Sequence, residues 1–319
     1  MSASTAPTAG PTAAQTAPAP TAGPTAAQTA PAPASPSSSR PAPAFRGRIG
    51  RDARSGHYAV PRRYRLYLST ACPSGLRLAV AHSLLGLDDV CPATFLPAVP
   101  DGPDGGHSAL RPLYEASAHR YTGPALAPVL GDDWLGRIVS THAPDILRDL
   151  DRWFGPGRPA LYPEDALKDI EAVERLCAQG VDEAAQRAGA AGADPAEREA
   201  ALTELRAALG ELEHRLSGGG HLLGGRLTAA DIAVWVSLVQ LDTVHSHHLD
   251  AAAVQRIADH PRLWAHARRL TAHPAFGGHL DLDGIARRHR ARCRGLEAAG
   301  AAVRILDWEA YASHQVDDR

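Results

Sequence analysis

The stretch Tyr64-Arg65-Leu66-Tyr67-Leu68-Ser69-Thr70-Ala71-Cys72-Pro73-Ser74-Gly75 decides the fold of this chain. Bulky residues alternate up to Leu68, the period of a half-buried strand. Just beyond, Pro73 stands where a first helical turn tolerates proline, because that amide has no intrahelical partner. Leu76 to Gly86 then carries apolar residues at helical spacing and a glycine stop. Cys72 therefore sits between a strand and the helix that the strand feeds. There its sulfur meets unpaired backbone N–H groups and the positive end of the helix dipole. Both favour the thiolate, the nucleophilic form of cysteine. The reading is sulfur chemistry.

A length of 319 residues allows two domains or one large one. Hydrophobic residues make up 44% but aromatics only 5%, so alanine and leucine must do most of the packing. A formal net charge of −2 gives no global drive toward nucleic acid or an anionic membrane. Cys72, Cys91, Cys177 and Cys293 lie far apart with no C-x-x-C pair. No disulfide framework is expected, and a reducing cytoplasm is. No run of about 18 apolar residues is present, so no membrane span is expected.

Residues 1–44 are compositionally separate. Thr8 to Pro20 is repeated letter for letter from Thr21 to Pro33, rich in alanine, proline and threonine. With no bulky apolar residue to bury, this tail is expected to be disordered. Between Arg40 and Arg65 there are eight arginines against one acid, Asp52. They read as a solvated lead-in to the first strand or as an anion-binding arm.

A first unit, 45–155, continues from the Cys72 helix to a second strand at Ala93–Pro97 and a Gly/Pro/Asp-rich loop at 100–107. Leu126–Leu130 and Gly136–Val139 read as a hairpin, and a helix is expected from Asp145. This βαβ…ββα order is that of an α/β thioredoxin-like domain. In that fold a proline before the third strand is usually cis and lies against the active cysteine, and Pro128 is the candidate. A second unit, 160–295, reads as all helical. One helix is expected over about Glu164–Arg187 and another over about Pro195–Leu216, the latter with Leu202, Leu205, Leu209, Leu212 and Leu216 at three- and four-residue spacing. Leu227-Thr228-Ala229-Ala230-Asp231-Ile232 then opens an almost wholly apolar helix with a capping box. Further helices are expected at about 251–271 and 281–294. The extension 296–319 gives no clear signal.

A thioredoxin-like half with a single cysteine, followed by a helical half holding a T-x-x-D-capped buried helix, resembles the glutathione transferases. More narrowly, the chain resembles the glutathionyl-hydroquinone reductases, the Xi class related to the omega class. Matching stretches are Tyr64–Arg77, Leu113-Tyr114, Tyr121-Thr122-Gly123, Pro128-Val129-Leu130, Gly136 with Ile138-Val139, Leu161-Tyr162-Pro163, Ala188-Gly189, His221 through Ile232, and His260–Trp264. Together they span about residues 60–290.

That resemblance implies a glutathione transferase fold and Cys72 as the catalytic nucleophile. In the family the thiolate attacks the sulfur of a glutathionyl-hydroquinone, releases the hydroquinone and leaves a mixed disulfide. A second thiol then resolves it. Without a C-x-x-C partner, Cys72 needs that resolving thiol from outside. The resemblance also implies a thiol site at Pro73, Ser74, Arg77, Ala127, Pro128 and Val129, continuing through Ser140, Thr141 and His142. It implies a homodimer acting on a small molecule, with no metal.

The departures from the family are informative. A tryptophan and alanine after the Cys-Pro are replaced by Ser74 and Gly75. The Glu-Ser pair that meets the γ-glutamyl end of glutathione reads His142-Ala143 here. Losing such a carboxylate removes a charge-assisted hydrogen bond of about 1.5–3 kcal/mol. The co-substrate is therefore a low-molecular-weight thiol: glutathione, or another of the mycothiol or ergothioneine type. Family tyrosines of the acceptor pocket match Gln186, His245, His289 and Arg290, the first after a one-residue insertion in its helix. Imidazole, amide and guanidinium in their place suit a more polar or anionic acceptor.

Two other functions stay open: a binding protein that kept the fold and lost the chemistry, and a conjugating S-transferase whose Cys72 contacts the thiol without covalent attachment. His245-Ser246-His247-His248 has the look of a metal patch, but no nearby cysteine or carboxylate in sequence completes a ligand set. The run Arg287 to Arg294 reads as a solvated terminal helix, or as a cationic surround for Cys293.

Overall fold

In β1 (Tyr64–Leu68), Tyr64, Leu66 and Leu68 are buried while Arg65 and Tyr67 are half-buried, the alternation that the sequence carries. The computed structural model describes residues 45–154, 160–293, 300 and 303–312. The repeat tail 1–44 and much of the extension 296–319 lie outside the described residues.

From β1 the chain enters α1 (Pro73–Leu84) and returns as β2 (Ala93–Phe95), parallel to β1 with Leu66 opposite Ala93. After α2 (Arg111–Ser117), β3 (Val129–Asp132) lies antiparallel to β1, and β4 (Arg137–Ser140) lies antiparallel to β3. The strand order β2-β1-β3-β4 makes a four-stranded mixed sheet, which α3 (Ala143–Phe154) follows. The third strand begins at Val129 rather than Leu126, because Pro128 has no N–H to give the ladder. Phe45-Arg46-Gly47 pairs along the outer edge of β4, with Gly47 N–H donating to Val139 O at 2.8 Å and Thr141 N–H to Phe45 O at 3.0 Å. That covers an otherwise open sheet edge.

The arginine-rich lead-in is neither free arm nor simple solvated face. Arg48 reaches Asp149 at 2.6 Å, Arg46 reaches Asp145 at 3.0 Å, and Arg63 reaches Asp132 at 2.7 Å. These pairs clamp the entering segment to α3 and to the β3–β4 turn.

The second half is helical. The expected helix 164–187 is broken into α4 (Leu167–Arg175), a π-helical stretch Leu176–Glu183, and α5 (Ala184–Ala188). A π turn holds one extra residue within a continuing helix, which is how an insertion can be absorbed without a loop. α6 (Pro195–Arg215) and the apolar α7 (Ala229–Thr243) follow, the latter with the Thr228–Asp231 capping box formed. His260-Pro261 splits the expected 251–271 helix into α8 (Ala251–Ala258) and α9 (Pro261–Thr271), since a residue before proline disfavours helical ψ. Two short pieces come next, α10 (Pro274–Gly277) and α11 (Leu282–Arg292).

A last helix, α12 (Trp308–Ala312), had no signal in sequence. Trp308 is fully buried, and the Asp242 carboxylate of α7 accepts from Ile305 N, Leu306 N and Trp308 Nε1 at 2.6, 3.0 and 2.8 Å. One continuous apolar core runs from the sheet residues Leu66 and Leu68 to Trp235, Phe276 and Trp308. α1 packs against α3 on one side and α7 on another, so the cysteine-bearing helix joins the two halves.

Candidate functional site

Cys72 is the N-cap of α1, with extended backbone (φ −111°, ψ 145°) and its Sγ accepting the Gly75 N–H at 3.3 Å. A Cβ at position 75 would stand 2.1 Å from the Ser69 carbonyl oxygen and 3.1 Å from the Cys72 sulfur. Glycine lets this turn close and the amide approach the sulfur. Cys72 is 6% exposed, and what exposure it has opens on a cavity of about 500 Å³ that Pro73, Ser74 and Ala127 also line. Arg288 and Arg292 of α11 form part of its wall. Burial pulls the Arg288 guanidinium below its usual range, while attraction to the Cys72 sulfur acts the other way. Arg288 donates from Nη1 to Ala98 O at 3.1 Å, which ties α11 to the loop after β2.

The Ala127–Pro128 peptide is cis, as expected for the proline before the third strand. Pro128 and Thr141 line a smaller cavity of about 330 Å³ beside the rings of Phe45, Tyr114 and Tyr121. Val129 is buried and pairs with Tyr67 across the sheet. Ser140 Oγ accepts the His142 N–H at 3.1 Å, and His142 Nδ1 faces Asp145 at 2.9 Å. Asp145 is also engaged by Arg46 and Arg48. Asp145, three residues after His142, is thus held within the protein by His142, Arg46 and Arg48.

Two expected positions need correction. Arg77 lines none of these cavities; it points from α1 to Ser237 Oγ at 3.5 Å and Asp182 at 3.8 Å. Arg290 is exposed, with Nε donating to its own helix at Ala286 O. The ligand-facing stripe of α11 is Ile285, Arg288, His289 and Arg292, spaced by three and four residues. The expected pair His289-Arg290 is thereby displaced by one residue to Arg288-His289, as the helical period counted from buried Ile285 requires.

Gln186, His245 and His289 do come together, on a second cavity of about 490 Å³ that shares Pro73, Arg288 and Arg292 with the first. The π stretch supplies Asp182 and Glu183 to its wall. Burial raises Asp182, against the pull of Arg77 and the Ser237 hydroxyl, which donates at 3.1 Å. Asp182 Oδ1 and Gln240 Nε2 are buried at this wall with no protein partner.

The histidine run meets other ligand-type residues in space. His248 is joined by His289 and Cys293, which sequence separates from it by some 40 residues, and Cys293 lies on the same cavity. Burial pushes the thiols of Cys91 and Cys177 up to about 12, so neither is a nucleophile at neutral pH.

The profile of the family described as "Glutathione S-transferase, C-terminal domain" matches residues 195–269. The chain is 31% identical over 258 residues to the glutathionyl-hydroquinone reductase PcpF of Sphingobium chlorophenolicum, covering 75% of this chain and 80% of that protein. It is 28% identical over 295 residues to the glutathionyl-hydroquinone reductase YqjG of Escherichia coli, covering 85% and 89%. Among solved structures, the Xi-class transferase of Natrialba magadii superposes with a TM-score of 0.68 at 27% identity, covering 78% of this chain and 81% of that one. The glutathione-bound structure of YqjG superposes at 0.69 and 25% identity, covering 80% and 90%. Sheet order, helical half and these likenesses agree: the chain belongs to the glutathione transferase superfamily of enzymes, among the Xi-class glutathionyl-hydroquinone reductases.

Proposed function

We propose that this protein is a thiol-dependent reductase in which Cys72 removes a thiol from a polar or anionic organic acceptor. The observation that carries the reading is the Cys72 sulfur at the start of α1, opening on a cavity beneath Arg288. The thiolate attacks the thioether sulfur of the substrate. An S–S bond forms, the carbon–sulfur bond breaks, and its electron pair stays with the carbon, which takes a proton. A second low-molecular-weight thiol then attacks the mixed disulfide, regenerating Cys72 and leaving as an oxidised disulfide. The organic product is reduced by two electrons, and two thiols are oxidised to one disulfide.

Glutathione is the thiol that the relatives favour. The inward-turned Asp145 and the aromatic cup of Phe45, Tyr114 and Tyr121 support a second possibility, a thiol whose tail carries no γ-glutamyl ammonium. Acceptor preference follows from Arg288, Arg292, His245 and Gln240 on the cavity walls: acidic and hydrogen-bonding substrates rather than a flat, neutral quinol.

A glutathionyl-hydroquinone and a panel of oxidised cellular thiols test this by turnover and intact mass. The expected results are a thiol adduct on Cys72, absent from Cys72→Ser, and loss of turnover in that variant. Turnover retained in Cys72→Ala points instead to a conjugating transferase. No adduct, no turnover and no thiol-induced rise in melting temperature would leave a binding protein of this fold.

A further inference from the structure

Three ligand-type side chains, His248, His289 and Cys293, meet beside the cavity that Gln186 and His245 line, with His289 and Cys293 on its wall. His248 closes the short turn His245–His248 after α7, while His289 lies in the last turn of α11 and Cys293, four residues on, is its C-cap and donates its N–H to His289 O. Nε2 of His248 and Nε2 of His289 are 2.8 Å apart, and one ring nitrogen of each histidine and the Cys293 Sγ all lie within 4.8 Å of one another. Each of the three residues is half-buried. Gly189 adds an independent fit: a Cβ there would lie 2.8 Å from the Cβ of His248, so the glycine lets this imidazole settle against the end of α5.

We propose that His248, His289 and Cys293 form a binding site for a zinc-type cation. Two imidazoles and a thiolate are zinc ligands, at about 2.0–2.1 Å for nitrogen and about 2.3 Å for sulfur. Tetrahedral angles at those bond lengths place the donor atoms about 3.3–3.6 Å apart, between the observed imidazole separation and the full span of the cluster. Side-chain rotation supplies that adjustment. The ion displaces the proton shared between the facing imidazoles, and the thiol proton leaves to solvent.

Thiolate ligation leaves the site a single net positive charge. Asp182 and Glu183 on the same cavity offset it, and Arg288 and Arg292 oppose it. Among the described residues these three supply the ligands, and the cavity that His289 and Cys293 line has room for a water or for an oxygen or sulfur of a bound small molecule as a further one.

Titration of the reduced, tag-free full chain with Co²⁺ and then Zn²⁺ tests this. One Co²⁺ per chain should bind, with thiolate-to-cobalt charge-transfer absorption, and one Zn²⁺ should displace it. Cys293→Ser should abolish that absorption and weaken zinc by more than the roughly 10–100-fold that loss of an outer-shell partner costs, with His248→Ala weakening it similarly. Cys72→Ser should change neither, and melting curves show that each variant is folded. Absence of stoichiometric binding, absorption that survives Cys293→Ser, or absorption lost in Cys72→Ser would each overturn the proposal.

Discussion

At the scale of single residues, the four cysteines separate by their surroundings. Cys72 opens on a cavity and Cys293 is half-buried, whereas Cys91 and Cys177 are sealed in the core. A thiolate costs most where no water or dipole reaches it, which sets Cys91 and Cys177 apart from Cys72 at its helix start and from half-buried Cys293. Brief iodoacetamide treatment of the native protein at pH 7 should label Cys72 and Cys293, leaving Cys91 and Cys177 unmodified in the peptide map. Arg288 shares a cavity wall with Cys72, and attraction to the Cys72 sulfur favours its charged form. Arg288→Ala should slow Cys72 alkylation about tenfold, equivalent to about 1.4 kcal/mol. Arg290→Ala, on the solvent side of the same helix, should leave the rate unchanged.

Among the elements, α7 is the one whose start is most heavily specified. Asp231 Oδ2 accepts from Thr228 N at 2.9 Å, and Oδ1 from Leu222 N at 3.1 Å, so one buried carboxylate caps the helix and ties down the preceding loop. His266 and His221 flank the same oxygen at 3.2 and 3.3 Å. Burial would raise this carboxyl, but the neighbouring His266 and the backbone N–H groups of Thr228 and Leu222 outweigh it and the net shift is downward. A depressed folded value means that the stabilisation is complete above the unfolded value of about 3.9 and is lost as pH falls through the folded one. Asp231→Ala should therefore cost about 3–5 kcal/mol at pH 7, because buried donors lose their acceptor. Urea unfolding should show that gap narrowing below about pH 4.

On the scale of the whole molecule, the distant segment 303–312 is part of the core rather than an appendage. Asp242 is buried in α7, and the described donors to its carboxylate all come from Ile305, Leu306 and Trp308. A chain ending at residue 302 would strand that carboxylate and expose the surface that Trp308 covers. The expected loss is about 3–5 kcal/mol, from an uncompensated buried charge. Thermal melting of the truncation, of Asp242→Asn and of the double variant should show that the two losses are less than additive, since both break one network.

Much of this was legible in the residues themselves. Strand alternation up to Leu68, Pro73 at the helix start and the Thr228–Asp231 box are local signals, and the structure places β1, α1 and α7 where they fall. Chain order alone carried the sheet topology, because short connections leave few alternatives. What sequence did not reveal is whatever depends on which helix faces land together. Arg288 rather than Arg290 beside the sulfur, Arg77 directed to Asp182 instead of a ligand, and His248 meeting His289 and Cys293 all follow from helix rotation and packing. A single residue of register turns a side chain by about 100°, the angle that 3.6 residues per turn imposes, and only tertiary packing fixes it.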